Sequence, residues 1–328
     1  MKHISYARDK FVPTNEVNLN VIDNFLSIVR GYQVFTFLKT INNGKPVFLD
    51  HHLDRVFGNA KSMNMIVRQS KEEVKLLVQD TLNQNSFDKK ECNIMILLAG
   101  TTPIDSSALI TDVPVELFII ITPVKIYSPK SYEKGISLGL FEHERTDGEL
   151  KTPFTYFGGL KAQHQVVRDS DYDEALYTSR NMILEGTTFS FFCITDDGTI
   201  LTSPADGRIL RSVTRLVLLH LLKKHQLKIH ESDLSIEEVL KCKEAFIASA
   251  NRDVIPVISI EGNRIGDGLV GVNDVLESAI ERIEEIENRG TGLSGLPTYF
   301  SDLDYYLSGL QEGNLAVIAS RPSMGKSS

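Results

Sequence analysis

Between residues 34 and 260, short β-rich runs alternate with stretches of helical period. This alternation confines the chain to layered α/β or α+β architectures and excludes a helical bundle. The runs 34–40 and 46–49 are joined through Asn42, Asn43, Gly44 and Lys45, a hairpin signal, and helices are predicted over 51–64 and 71–84. Residues 93–98 and 115–122 read as buried strands. An irregular stretch with Pro129 and Gly135 follows, the predicted crossing into a second lobe. There, strands are predicted over 136–141, 174–177, 189–194, 245–248 and 254–260, with helices over 156–168, 212–225 and 236–240. No internal repeat is visible.

A chain of 328 residues has room for two or three domains at roughly 150 residues each. With 42% hydrophobic and 24% charged residues, it is not composed like a disordered, collagen-like or coiled-coil protein. Lys and Arg number 35 against 43 Asp and Glu, so the formal charge is −8 and broad attraction to nucleic acid or anionic membrane is not expected. Apolar stretches such as 115–124 are too short to span a bilayer, and the opening MKHISYARDK has no apolar secretion core. Cys92, Cys193 and Cys242 are an odd set without metal-ligand spacing. A cytoplasmic protein with free thiols and no bound metal is therefore expected.

Near Gly271 the character changes. Residues 274–289 read as an acidic helix with Leu276, Ala279, Ile280, Ile283 and Ile286 on one stripe, which needs a partner surface. From Val272 onward there are 9 acidic and 4 basic residues, so −5 of the total −8 lies in this segment.

One lysine stands out by its surroundings. Lys151 opens KTPFTY, which places Tyr156 at the start of a predicted helix, and Glu185 opens EGTT before an aromatic strand. Arg55 follows His52 by three residues in HHLDR; Val213 and Thr214 begin the helix predicted after ILRS; Ser249 and Ala250 sit in EAFIASANRDVIPV. In this order and spacing, residues 11–268 resemble the class IV pyridoxal-phosphate enzymes, which include branched-chain aminotransferases, D-amino-acid aminotransferases and aminodeoxychorismate lyases. The segment RGYQVFTFLKTINNGKPVFLDHHLDR is similar to that family's amino-terminal signature.

The resemblance implies a two-lobed α/β (α+β) fold, a pyridoxal 5′-phosphate cofactor and a set of roles. Lys151 would be the Schiff-base lysine and proton shuttle, which requires an amine neutralised by its environment. Glu185 would face the pyridine nitrogen and hold it protonated, and Tyr156 would donate to the ring's 3′ oxygen. Arg55, with Val213 and Thr214 at a helix N-terminus and Ser249 and Ala250 in a turn, would hold the phosphate. Three positions depart from the family's usual residues: Ser190 for asparagine, Ser212 for glycine and Ala250 for threonine.

The last residues, SRPSMGKSS, fit a Walker A loop with Ser320 at the first glycine and Gly325, Lys326 and Ser327 following. Together with GLPTYFSDLDYYLSGLQEGNLAVIA, this stretch resembles the start of the RecA-like ATPase domain of DnaB-type replicative helicases, and the preceding DVLESAIERIEE resembles their linker helix. The sequence ends one residue beyond Ser327, so the loop is expected to be incomplete and without ATPase or helicase activity.

These readings divide the chain into a small lobe over 1–123, a cofactor-binding lobe over 124–271 and a helicase-like segment over 272–328. The expected function is amino-group transfer between an amino acid and a 2-keto acid, in a homodimer as the family resemblance implies. Aminodeoxychorismate lyase and a replication-associated protein with a silent front lobe are the alternatives.

Overall fold

The structure, a computed structural model, describes residues 3–41, 44–85, 91–102, 112–124 and 127–266. The predicted linker helix and the P-loop residues Gly325, Lys326 and Ser327 lie outside them, as does Asn42-Asn43 of the predicted hairpin.

The described strands form two sheets. The first has the order Lys10–Pro13, Ile4–Ala7, Glu116–Pro123, Cys92–Ala99, Gln33–Ile41, Lys45–Pro46, all neighbours antiparallel. The second has the order Ile229–Glu231, Ile200–Thr202, Ser190–Ile194, Glu244–Ser249, Asp253–Ile260, Ile136–Glu142, Glu174–Ser179, Met182–Gly186, Leu234–Ser235, with Asn263–Arg264 paired to Asp253–Ile260. Its pairing is mixed: Asp253–Ile260, Ile136–Glu142 and Glu174–Ser179 run parallel, and the helices connecting them cover the sheet.

Period-two patterning sets the face of the strand Gln33–Ile41. Val34, Thr36, Leu38 and Thr40 are buried while the residues between them are partly exposed. Leu38 packs with Leu53 and Val56 of helix Leu49–Ser62, Val74 and Val78 of helix Lys71–Asn83, and Ile94 and Ile96 of the neighbouring strand. Each such burial contributes ~1.5–3 kcal/mol, so this cluster fixes which face the strand turns toward the second lobe. Helix Lys71–Asn83 starts at a capping box, in which Ser70 Oγ accepts from Glu73 N and the Glu73 carboxylate accepts from Ser70 N. The second lobe has its own core of Leu138, Leu176, Phe191, Ala245, Ile247 and Val257.

The helix predicted over 156–168 is three windings instead of one. A 3-10 turn over Pro153–Tyr156 leads into helix Phe157–Ala162, which loosens into a π turn over Gln163–Arg168. Pro153 favours the tight start, and Gly158-Gly159 are weak helix formers in the middle. The strands Ile4–Ala7, Lys10–Pro13 and Met182–Gly186 and the helix Pro129–Lys134 have no counterpart in the sequence reading. The first two are short and paired through Tyr6↔Phe11, and their local sequence has no alternating apolar signal.

Candidate active site

A cavity of about 250 Å³ is lined from both sheets. Arg55, Lys151, Tyr156, Glu185, Val213, Thr214, Ser249 and Ala250 all border it, so residues 195 positions apart in sequence meet at one place. Phe35 and Phe37, on the face of strand Gln33–Ile41 opposite the small-lobe core, form one wall.

Lys151 Nζ donates to the Tyr156 hydroxyl at 2.9 Å and lies 5.0 Å from the centre of the Phe35 ring. The lysine backbone is held from two directions: its N–H donates to Asn59 Oδ1 at 3.0 Å, and its carbonyl accepts from Phe35 N at 3.0 Å. Burial, then the Arg55 and Arg145 guanidiniums, push the amine well below the usual lysine range, and Glu185 only partly opposes them. Burial also raises the Tyr156 phenol. The result is an amine of weakened proton affinity beside a phenol that holds its proton.

Glu185 ends the strand Met182–Gly186 and is 4% exposed at its side chain. Its Oε1 accepts from Leu210 N at 3.1 Å and lies 2.9 Å from Arg145 Nε, although the Nε–H is not aligned for a hydrogen bond. Burial pushes the carboxyl up; Arg145, the Leu210 N–H and Lys151 hold it down. Gly186 is needed here because a Cβ would lie 2.0 Å from Phe189 Cζ, the ring that closes over this strand end.

Arg55 and His52 share a face of helix Leu49–Ser62 and both reach Thr36. Arg55 Nη2 donates to Thr36 Oγ1 at 2.7 Å, and Thr36 Oγ1 is 2.7 Å from His52 Nδ1. A guanidinium only donates, so the threonine hydroxyl is left to donate to Nδ1, which puts the imidazole proton on Nε2. Burial and the Arg55 and Lys151 charges lower His52 well below its usual range, so it is neutral. Arg55 itself is brought down to about 10 by burial and stays charged at neutral pH. Its Nε is buried without a hydrogen-bond partner, an unused donor at the cavity.

Helix Val213–Lys224 begins at the same cavity, and its first residues leave backbone N–H groups free of helical partners. Ser212, where glycine is usual in the resembled family, has φ −64° and ψ 134°, backbone open to any residue. Its hydroxyl caps the helix by accepting from Arg215 N at 3.4 Å. Ser190 Oγ is buried at the cavity with no partner, and the turn after Ser249 is braced by Ser249 Oγ on Asn251 Oδ1 (3.1 Å) and Asn251 Nδ2 on the Tyr127 hydroxyl (2.9 Å). Arg145 is the residue that sequence reasoning missed: in EHERTDGEL it has the look of a solvated loop cation, yet it is 7% exposed.

Residues 33–260 match the amino-transferase class IV family, and residues 295–328 match the DnaB-like helicase C terminal domain. The chain is 23% identical over 272 residues to a D-alanine aminotransferase of Listeria innocua, covering 81% of this chain and 90% of that protein. The fold is similar to a branched-chain amino acid aminotransferase of Escherichia coli, with a TM-score of 0.78, 20% identity and coverage of 87% of this chain and 95% of that one. It is also similar to an aminotransferase from Brucella abortus bound to the cofactor PLP, with a TM-score of 0.76, 16% identity and coverage of 86% and 99%. The family match runs through both lobes and every element that builds the cavity, and the chain belongs to the class IV aminotransferases.

Proposed function

We propose that this cavity binds pyridoxal phosphate on Lys151 and transfers an amino group from an amino acid to a 2-keto acid. The carrying observation is the buried Lys151 amine, 2.9 Å from the Tyr156 hydroxyl and pushed well below the usual lysine range, in the cavity that also contains the buried Glu185 carboxylate.

The residues present fit the group. Arg55 has a buried donor without a partner, and the N-terminus of helix Val213–Lys224 adds Val213 and Thr214, so a phosphate would meet one guanidinium and several N–H groups. Ser249 and the Ala250 backbone would close the same end, and the missing Ala250 hydroxyl leaves less there to bind. When bound, pyridoxal phosphate supplies an aldehyde that captures amines and a ring that withdraws electrons from the substrate's Cα. Glu185 would hold a proton at the ring nitrogen, and Tyr156 would donate toward the ring's phenolic oxygen. Lys151 Nζ, its proton affinity lowered by burial and two guanidiniums, would take the proton from Cα of the amino donor and deliver it to the carbon of the cofactor's aldehyde group.

Borohydride reduction followed by intact mass and peptide mapping tests the reading. A mass increase on Lys151, absent from Lys151→Ala, is expected; an unmodified wild-type chain after incubation with excess cofactor would refute it. Release of an aromatic amine and pyruvate without any keto-acid acceptor would assign lyase chemistry instead.

The working unit in this proposal is a homodimer. Phe154, Phe157 and Leu160 are 63%, 66% and 64% exposed beside the active-site lysine. Phe154 lies against Gly31, whose φ of +65° and lack of a Cβ admit the ring, and so joins the exposed Ile28 and Val29 into one apolar surface. Light scattering of the intact chain checks this. The three cysteines are buried and free, as a reducing cytoplasm allows. No helix among the described residues is long and apolar enough to cross a membrane.

A further inference from the structure

Arg145 sits three residues beyond the end of strand Ile136–Glu142, buried beneath the cavity floor. Its Nη1 donates to Thr155 O at 3.4 Å, and its Nη2 donates to Gly186 O at 3.2 Å and Thr187 O at 2.8 Å. These carbonyls satisfy hydrogen bonds without neutralising charge. Among the described residues its ion pair is with Glu185 Oε1 at 2.9 Å, and its guanidinium carbon lies 5.7 Å from the Tyr156 ring centre and 5.4 Å from that of Tyr177. One permanent cation therefore stands beside the three groups of the floor that can exchange protons: Lys151, Tyr156 and Glu185. A guanidinium cannot shed its proton to relieve that crowding, so the neighbours must adjust.

We propose that Arg145 is a positioning residue that sets the proton distribution of this floor, keeping the Glu185 carboxylate ionised and turned by its Oε1 while keeping Lys151 a free amine. The inference rests on the cofactor reading above. With Leu210 N–H and Arg145 both on Oε1, the second carboxylate oxygen is left to accept from a ring nitrogen. Arg145 lowers the proton affinity of Lys151, Tyr156 and Glu185 alike, and its effect on Lys151 is larger than the opposing effect of Glu185. Losing Arg145 therefore raises the proton affinity of the Lys151 nitrogen, whether or not Glu185 then takes up a proton.

A merely structural Arg145 would act through the carbonyls it ties together. Arg145→Gln keeps amide donors for those carbonyls and loses the charge; Arg145→Lys keeps the charge and loses the fork. The readout is the pH titration of the bound cofactor's absorbance in the holoprotein. Arg145→Gln is expected to move the midpoint up by at least ~0.5 unit, a threefold change in proton affinity, and Arg145→Lys by less than ~0.2. A midpoint unchanged in Arg145→Gln, or equal shifts in both variants, overturns the proposal. The pH dependence of Lys151 acetylation by acetic anhydride in the cofactor-free chain gives the same comparison without cofactor. It serves if Arg145→Gln fails to load, with the same expected and overturning results. Should Arg145→Gln not fold, a half-unit shift in Arg145→Lys alone overturns the assignment, and an unshifted midpoint supports it. Wild-type protein that takes up no cofactor counts against the reading of the cavity, whereas the acetylation comparison still judges Arg145.

Discussion

Lys151 Nζ and the Tyr156 hydroxyl are 2.9 Å apart, and this contact joins two groups whose charged forms burial disfavours. They are five positions apart in sequence, and the tight turn Pro153–Tyr156 folds the second back over the first. The arrangement favours chemistry at the expense of stability, because a lysine stripped of its charge was charged in the unfolded chain.

That cost gives a pH-dependent prediction. The folded proton affinity of Lys151 lies well below the usual 10.5, so above the folded value the unfolded chain binds the extra proton and the folded chain does not. Stability from this group therefore rises with pH up to the unfolded value and is lowest beneath the folded one. Lys151→Met should raise the melting temperature of the cofactor-free chain near pH 7, and its advantage should shrink as pH climbs toward about 10. Melting curves that run parallel across that range would mean that Lys151 is an ammonium in the fold.

Glu185→Gln preserves size and one acceptor but cannot keep a ring nitrogen protonated. It should retain cofactor and slow amino-group transfer by at least ~100-fold, the lower range for a positioned charged group. Single-turnover kinetics with several amino donors measure this. Full rates with any of them would remove Glu185 from the assigned role.

Arg55 has an unused buried donor at the cavity. Arg55→Ala should weaken pyridoxal phosphate binding by at least ~30-fold, about 2 kcal/mol, and should weaken pyridoxal far less. Fluorescence titrations with both compounds separate phosphate recognition from general damage to the site. Equal losses for the two would assign Arg55 to packing.

Much of this site was legible because it depends on spacing. Lys151, Tyr156 and Glu185 keep an order that the fold needs, and Val213 follows a serine that caps its helix. Arg145 was not legible, since four acidic neighbours in EHERTDGE give it the pattern of an exposed loop, and only the tertiary approach of Gly186 and Thr187 buries it. The same holds for strand Ile4–Ala7, which pairs with Glu116–Pro123 over a hundred residues away and owes its form to that partner, not to its own four residues. The helical pattern over 156–168 holds in period but not in winding, because the close fit of Gly158 to His143 is a property of packing.

The segment beyond residue 272 should be separable from amino-group transfer. Every described residue bordering the cavity lies between Phe35 and Asn251, and the last described strand, Asn263–Arg264, completes its pairing against Asp253–Ile260. The helicase-like match begins at residue 295, well past that point. Deleting residues 273–328 removes 9 acidic and 4 basic residues, a net change of +5. The cofactor titration midpoint is expected to stay unchanged. The shortened chain should load the same fraction of cofactor, turn over the same donors at rates within about twofold and melt at the same temperature. Loss of cofactor or of turnover on deletion would show that the segment completes the site, and would join the two halves of this chain into one functional unit.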